Sequence, residues 1–90
     1  MPAKAYEVRL RPAAHRQLES LERPVQRRLV DAIAGLAEDP RPAGVKALQG
    51  VPGLLRLRLG VYRVLDQVRD DQLLVLVLTL GHRRDVYRRR

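Results

Sequence analysis

The residues best suited to do chemistry lie in one short stretch, LLRLRLGVYR, which runs from Leu54 to Arg63. Its leucines alternate with Arg56 and Arg58. Because a strand sends successive side chains to opposite faces, one face would carry a row of leucines and the other a pair of guanidinium groups. A guanidinium stays charged at any cellular pH, and its planar fork of donors matches the oxygens of a phosphate. The stretch is therefore predicted to anchor a core on one side and to bind an anion on the other.

The overall charge also indicates a polyanionic partner. The chain has 90 residues, a net charge of +8 and a pI of about 11.2, and only two of its 18 basic residues are lysine. The last nine residues, HRRDVYRRR, hold five arginines and one acid. Localised positive charge of this kind is typical of proteins that bind RNA, DNA, an anionic membrane surface or an acidic protein.

Length and composition narrow the class of protein. A chain of this length forms a single domain, residues 1–90, with a small core. The absence of cysteine excludes disulfides and thiolate metal sites. The longest apolar run, Leu73–Leu78, is too short to span a bilayer, and the N-terminus lacks the apolar region of a signal peptide. We expect a soluble, cytoplasmic protein that is not associated with a membrane and holds no metal or cofactor. His15 has no second ligand at helical spacing and is interpreted as structural or solvated.

The elements that must position the arginines follow from the periodicity of the sequence. Alternation over Ala5–Leu10 predicts a half-buried strand. Pro12 and Pro24 each open a helix, since proline is favoured at the first helical position. The second helix is predicted to run to about Glu38, with one apolar stripe at helix period formed by Val25, Leu29, Ile33 and Leu36.

The second half of the chain is predicted to be an ordered loop followed by strands. Residues 40–53 contain three prolines and three glycines, with Val45 and Leu48 to hold the loop in place. Three strands follow, at about 54–59, 62–68 and 73–80, joined by Gly60-Val61 and by a polar turn at residues 69–72. The predicted fold class is α+β, with an N-terminal strand and a helical hairpin packed on a small antiparallel sheet. The opposite face of the sheet would be concave and basic.

Three strings in the sequence resemble those of the RelE/ParE superfamily of bacterial toxins. They are L-x-G-V-P-G at residues 48–53, R-L-R-L-G-V-Y-R-V-L at 56–65 and G-H-R-R-D-V-Y at 81–87. The order of elements is similar too, and the resemblance covers nearly the whole chain. It implies a microbial-ribonuclease-like fold and the toxin of a type II toxin–antitoxin system. The RelE branch of this superfamily cuts messenger RNA, generally in the ribosomal A site, whereas the ParE branch poisons DNA gyrase.

The resemblance also assigns site residues. It implies that Arg56 and Arg58 face the substrate phosphates, that Arg63 grips the scissile phosphate and that Arg83 acts as an acid or stabilises charge. A tyrosine near the end of the chain, here Tyr87, would stack on the RNA or orient it. The RelE branch is favoured because the gyrase-directed branch tends to lack the arginine and tyrosine that this chain has in its tail. Alternatives remain: a gyrase poison, or an inactive copy that retains only antitoxin binding.

The chemistry of RNA cleavage leads to a related hypothesis. Cleavage without a metal needs the 2′-hydroxyl to attack the adjacent phosphate in line, with charge on the non-bridging oxygens stabilised. The phosphate would be clamped by four arginines: Arg56, Arg58, Arg63 and Arg83. Proton transfer also needs a group that titrates near neutral pH. Histidine is the side chain that most readily exchanges a proton near neutral pH, so His82 or Tyr87 is predicted to assist. Tyr87 could instead pack the tail onto the sheet, whereas Tyr62 is predicted to lie in the core.

The expected partners follow from charge and from the resemblance. A basic groove would be covered by an acidic or amphipathic segment of a RelB-like antitoxin that folds on binding. Messenger RNA and the ribosome are the expected targets, and operator DNA would be bound only through the antitoxin complex. Asp66 stands where relatives carry an apolar or aromatic residue, and the sequence offers no physical reason for it.

Overall fold

The structure, a computed structural model, describes residues 5–82 and contains two helices packed on one sheet. The elements in chain order are β1 (Glu7–Leu10), α1 (Pro12–Glu19), α2 (Arg23–Gly35), β2 (Lys46–Ala47), β3 (Leu54–Leu59), β4 (Tyr62–Arg69), a 3₁₀ turn (Asp70–Gln72) and β5 (Leu74–His82). Within the described residues the sheet has five strands in the order β1-β5-β4-β3-β2. This arrangement confirms the predicted α+β class.

One strand pairing differs from the predicted antiparallel sheet. β3, β4 and β5 form the expected meander, but β1 lies beside β5 and runs parallel to it, with Leu10 opposite Val77. The sheet is therefore mixed. The helical hairpin carries the chain away from β1 to the far edge of the sheet, so that β1 pairs with the last strand of the meander. The loop at residues 40–53 also contributes the two-residue strand β2, which no local alternation indicates.

The helices begin where the prolines predict and form the core with the sheet. Proline occupies one of the first positions of both helices. α2 ends at Gly35 rather than near Glu38, because the following residues close into a tight turn in which the Ala37 N–H donates to the Ala34 carbonyl at 3.2 Å. The predicted stripe packs as expected, and the buried core consists of Ala14, Leu29, Ile33, Leu36, Leu55, Leu57, Val64, Val68, Val75, Val77 and Leu80.

The polar turn between β4 and β5 ties together three separate parts of the chain. The Asp70 carboxylate accepts two hydrogen bonds from the Arg41 guanidinium, at 3.1 and 2.9 Å, and one from the Tyr6 hydroxyl at 2.6 Å. Those bonds lower the pKa of the Asp70 carboxyl, with the Arg41 guanidinium the largest cause. The turn therefore holds the start of β1 and the loop after α2 against the end of the meander.

A side chain of α1 completes the end of β5. β1 stops opposite Val77, and beyond that point the Gln17 Oε1 atom accepts hydrogen bonds from the Leu80 N–H at 2.8 Å and from the Thr79 hydroxyl at 2.9 Å. The ladder between β4 and β5 shifts register at Leu65/Asp66, as a β-bulge does. Helix α1 thus fixes the part of β5 that leads into the tail. Within residues 5–82, neither helix has the length and apolar character needed to cross a bilayer.

Candidate nucleic-acid interface

Three of the predicted arginines lie together on the sheet face that the helices leave open. Arg58 is directly opposite Arg63 in the ladder between β3 and β4, and Arg56 is opposite Leu65. Residues that pair directly project from the same face of a sheet. The alternate residues of β3, Leu55 and Leu57, are buried in the core on the other face. The two-sided ribbon predicted from the sequence is therefore present.

The arrangement of Arg58 and Arg63 suits an anion. Directly paired side chains have Cβ atoms about 5 Å apart, and like charges at that distance repel. The Nε and Nη1 atoms of Arg63 are buried, and neither has a hydrogen-bond acceptor among residues 5–82. A buried donor without an acceptor costs about 1–3 kcal/mol. A phosphate bound between the two guanidinium groups would supply the acceptors and cancel the repulsion.

The surroundings of this pair are open and mostly basic. Gly81 lies directly opposite Arg63 on β5, so no side chain fills the space beside the guanidinium on that strand. Among the described strand residues on the same face as Arg63, the single acidic residue is Glu7, which lies on β1 at the opposite edge of the sheet. Its carboxylate accepts a 2.7 Å bond from the Arg9 side chain, so its charge is already balanced. The face around Arg63 is therefore strongly cationic.

Sequence reasoning missed a basic residue that lies beside these arginines. Lys46 pairs directly with Arg56 across the ladder between β2 and β3, and its side chain is exposed. It shares the open face with the arginines because directly paired residues do so. A strand of two residues is too short to show alternation in the sequence. Only its pairing with β3 places Lys46 on this face, and that pairing cannot be read from the local sequence.

The structure separates His82 from the arginines. His82 pairs with Tyr62, and the two rings make an edge-to-face contact with centroids 5.9 Å apart. Tyr62 packs against the core, as predicted, and therefore lies on the helix-covered side of the sheet. The imidazole accordingly shares that side rather than the side of Arg63. Arg83 and Tyr87, which the sequence also implicates, lie outside the described residues.

The core face of β4 holds an ionisable group of its own. Asp66 is fully buried, in phase with Val64 and Val68, and its two carboxylate oxygens have no hydrogen-bond partner among residues 5–82. Burial raises the pKa of Asp66 from 3.8 to about 7, although the nearby Arg41 charge opposes the rise. The sheet lies between this carboxyl and the arginines, so Asp66 is not part of the cationic face.

The described residues offer no ready metal site. No group of three or more His, Cys, Asp or Glu side chains in residues 5–82 is arranged to hold a metal ion. The groups that the geometry does bring together are fixed cations. What they can do chemically is bind an anion, hold it in one orientation and stabilise negative charge that develops on it.

Comparison with known proteins gives one consistent result. The family model described as the ParE toxin of the type II toxin–antitoxin system parDE matches residues 8–87. Toxin RelG of Mycobacterium tuberculosis is 32% identical over 85 residues, which cover 93% of this chain and 98% of that toxin. A chain of the archaeal RelE–RelB complex from Pyrococcus horikoshii superposes with a TM-score of 0.80 at 29% identity, covering 91% of this chain and 99% of the other. A chain of the intact E. coli RelBE toxin–antitoxin complex gives 0.75 at 27% identity, covering 87% and 96%.

Proposed function

The chain belongs to the ParE toxin family within the RelE/ParE superfamily of type II toxin–antitoxin systems, and on this premise we propose that it is a metal-independent endoribonuclease. Its substrate is messenger RNA, cleaved in the ribosomal A site, and the cleavage inhibits translation. A messenger-RNA substrate places its action in the cytoplasm. The single observation that carries this proposal is the directly opposed pair Arg58 and Arg63, in which two buried donors of Arg63 have no acceptor among residues 5–82.

The pair would act on the phosphate during cleavage. The 2′-oxygen forms a bond to phosphorus while the bond to the 5′-oxygen of the next nucleotide breaks, leaving a 2′,3′-cyclic phosphate and a 5′-hydroxyl. Negative charge grows on the non-bridging oxygens in this step. Arg58 and Arg63 stabilise that charge, and Arg56 binds the neighbouring backbone. Donors that are held in place before the reaction do this most effectively, because they need no reorganisation.

Two protons must also move in this reaction. One leaves the 2′-hydroxyl, and one is delivered to the departing 5′-oxygen. Arg83 is proposed to stabilise or protonate the departing oxygen, and Tyr87 to hold the base and assist proton transfer. Since His82 lies on the other side of the sheet from Arg63, the arrangement favours Tyr87 over His82 for this task.

The proposed partner in the resting state is a RelB-like antitoxin. The solved relatives from P. horikoshii and E. coli are complexes of a RelE toxin with RelB. A strongly basic open face in this chain would be well covered by an acidic or amphipathic segment that folds as it binds. Operator DNA is proposed to be bound through the antitoxin of that complex. The antitoxin would thereby both block the toxin and control its own expression.

A second candidate function is gyrase poisoning. The matching family model is that of the ParE toxin, and ParE-like relatives act on DNA gyrase without chemistry of their own. The two activities are separable, since one leaves cut messages and the other arrests supercoiling. Arg83 and Tyr87 favour the nuclease, because the gyrase-directed branch tends to lack that pair.

The deciding experiment adds the purified protein to a translating cell-free system and maps message ends, beside a gyrase supercoiling assay. We expect cuts within codons occupied by ribosomes and unaffected supercoiling. The Arg63→Ala variant should cleave about 100-fold more slowly or worse, because one charge-stabilising donor group is lost. Its thermal melting should be no lower than that of the wild-type protein, because a buried, unpaired donor is removed.

Arg69→Ala is the matched control. Arg69 lies on the same strand and the same face as Arg63 but is exposed at the far end of β4. Its loss should change cleavage less than threefold. Wild-type cleavage rates in the Arg63→Ala variant would contradict the proposed site. Arrested supercoiling with intact messages would favour the gyrase alternative instead.

A further inference from the structure

The cationic face extends beyond the arginines to the edge of the sheet. Among residues 5–82, β2 is an edge strand that pairs only with β3, and Lys46 stands directly opposite Arg56. Neighbouring strands lie about 4.8 Å apart, so the backbone of Lys46 is about 10 Å from that of β4. The basic side chains on this face therefore form a row that crosses three strands, from Arg63 through Arg58 and Arg56 to Lys46.

This row is too long for a single phosphate. The pair Arg58 and Arg63 can hold one phosphate between them, and a group bound there does not reach the edge strand. A further anion is needed to occupy the end of the row at Lys46. Lys46 has no ion-pair partner among residues 5–82, and its side chain is exposed. Its charge is thus available to a ligand that lies across the face.

The chemistry of the Lys46 side chain suits a contact with a phosphate that does not itself react. An ammonium is a compact, hydrated charge on a flexible stem, whereas a guanidinium is a rigid fork. The rigid forks stand in the centre of the row, where geometry matters for the reaction. The flexible charge stands at the edge, where a backbone phosphate next to the cleavage point can take several positions. Such a contact binds substrate and transition state equally, and so it changes affinity rather than turnover.

We propose that Lys46 is a positioning residue that binds a phosphate flanking the scissile one and so sets the path of the RNA across the sheet, from β4 towards β2. This inference rests on the proposed nuclease function. It assigns a task to a strand of two residues, and it makes the edge of the sheet part of the substrate site.

The test compares three variants of the full chain: Lys46→Ala, Lys46→Arg and the double variant Lys46→Ala/Ala47→Lys. Ala47 pairs with the buried Leu55, so its side chain projects from the opposite face, yet it is exposed and leaves room for a lysine. The double variant therefore keeps the net charge and moves one cation to the other side of β2. Circular dichroism melting checks that all three variants fold.

Binding is measured by fluorescence anisotropy with a labelled RNA oligonucleotide carrying 2′-O-methyl groups, which cannot be cleaved because the nucleophile is blocked. We expect Lys46→Ala to weaken binding about three- to tenfold and to reduce the slope of log affinity against log salt by about 0.7, the loss of one phosphate contact. Lys46→Arg should bind like the wild-type protein. The double variant should remain as weak as Lys46→Ala, because the restored charge is on the wrong face.

Cleavage of messages on programmed ribosomes provides the second readout. For Lys46→Ala we expect KM to rise with the loss of affinity and kcat to stay within twofold. An unchanged affinity and salt slope in Lys46→Ala, or full recovery in the double variant, would overturn the role of Lys46 while leaving the nuclease intact. A wild-type protein that binds the oligonucleotide but cuts no message would overturn the proposed function itself.

Discussion

At the level of single residues, β4 carries two ionisable groups whose surroundings have opposite consequences. Arg63 and Asp66 both have buried polar atoms without a hydrogen-bond partner among the described residues. Arg63 lies on the open face of the sheet, where the proposed anion would supply acceptors for its donors. Asp66 faces the core, where the buried residues of the described chain give its carboxylate no hydrogen-bond partner. The first arrangement supports the proposed binding site, and the second lowers the stability of the fold.

Asp66 makes the stability of this protein depend on pH. Its pKa is about 7 in the folded protein, against 3.8 for an unperturbed carboxyl, because burial disfavours the charged form. Between those values the folded chain binds more protons than the unfolded chain, so the free energy of unfolding falls as the pH rises from about 4 to about 7. The full difference corresponds to about 4 kcal/mol as an upper value, because water entering near the carboxylate reduces it.

The Asp66→Asn variant tests this dependence, since asparagine has nearly the same volume and does not ionise. We expect its urea midpoint to change little between pH 4 and pH 8 and to exceed that of the wild-type protein at pH 8. Asp71→Asn, at an exposed position in the β4–β5 turn, is the control and should keep the wild-type slope. Equal slopes in Asp66→Asn and in the wild-type protein would show that another group governs the pH dependence.

At the level of elements, the loop between β2 and β3 is held by the close approach of its backbone to β4. Gly53 has a φ of +78°, and a Cβ built on it would lie 2.5 Å from the Val68 carbonyl oxygen. The Val68 N–H donates to the Gly53 carbonyl at 2.9 Å. This contact starts β3 in the register that places Arg58 opposite Arg63. Only glycine combines this backbone conformation with this close approach.

Replacing Gly53 should therefore be costly. We expect Gly53→Ala to destabilise the fold by at least about 2 kcal/mol, since it adds backbone strain and a clash with backbone atoms that cannot move aside. Gly50→Ala is the matched control: its φ is +97°, but no atom lies within 4 Å of the added Cβ. It should cost about 1 kcal/mol, from strain alone. Chemical denaturation measures the free energy of unfolding of both variants. Equal losses of stability would mean that the close approach of Gly53 to Val68 does not contribute to the cost.

At the level of the whole molecule, positive charge is concentrated on the side of the sheet that the helices leave open. The net charge is +8. The open face carries the row of Arg56, Arg58, Arg63 and Lys46, with Arg69 at the far end of β4, whereas the other face is mostly apolar and covered by the helices. A field of this sign draws a polyanion to the open face and accelerates encounter with it.

Salt should therefore weaken RNA binding by the wild-type protein in a predictable way. Each phosphate contact with a single strand reduces log affinity by about 0.7 per log unit of salt. With the four cations of the row from Arg63 to Lys46 engaged, we expect a slope of about −3. Anisotropy titrations with the 2′-O-methyl oligonucleotide over a tenfold range of salt measure it. A slope near zero would mean that the protein binds RNA without its phosphates.

The sequence by itself determined the local elements and much of the candidate site. Alternation in the stretch 54–63 predicted β3 and placed Arg56 and Arg58 on one face, because side-chain direction in a strand depends only on position in the strand. The two prolines predicted where the helices begin. The family was also evident from the sequence, since its strings are contiguous and need no structure to be recognised.

The tertiary structure alone decided what depends on pairing between distant segments. The parallel pairing of β1, the placement of Lys46 beside Arg56 and the separation of His82 from Arg63 all follow from strand register. The bonds of Asp70 with Arg41 and Tyr6 join segments far apart in the chain. A one-residue change of strand register would move strand side chains such as Lys46 and His82 to the other face of the sheet. Register is set by the packing of the whole core, which no local pattern contains.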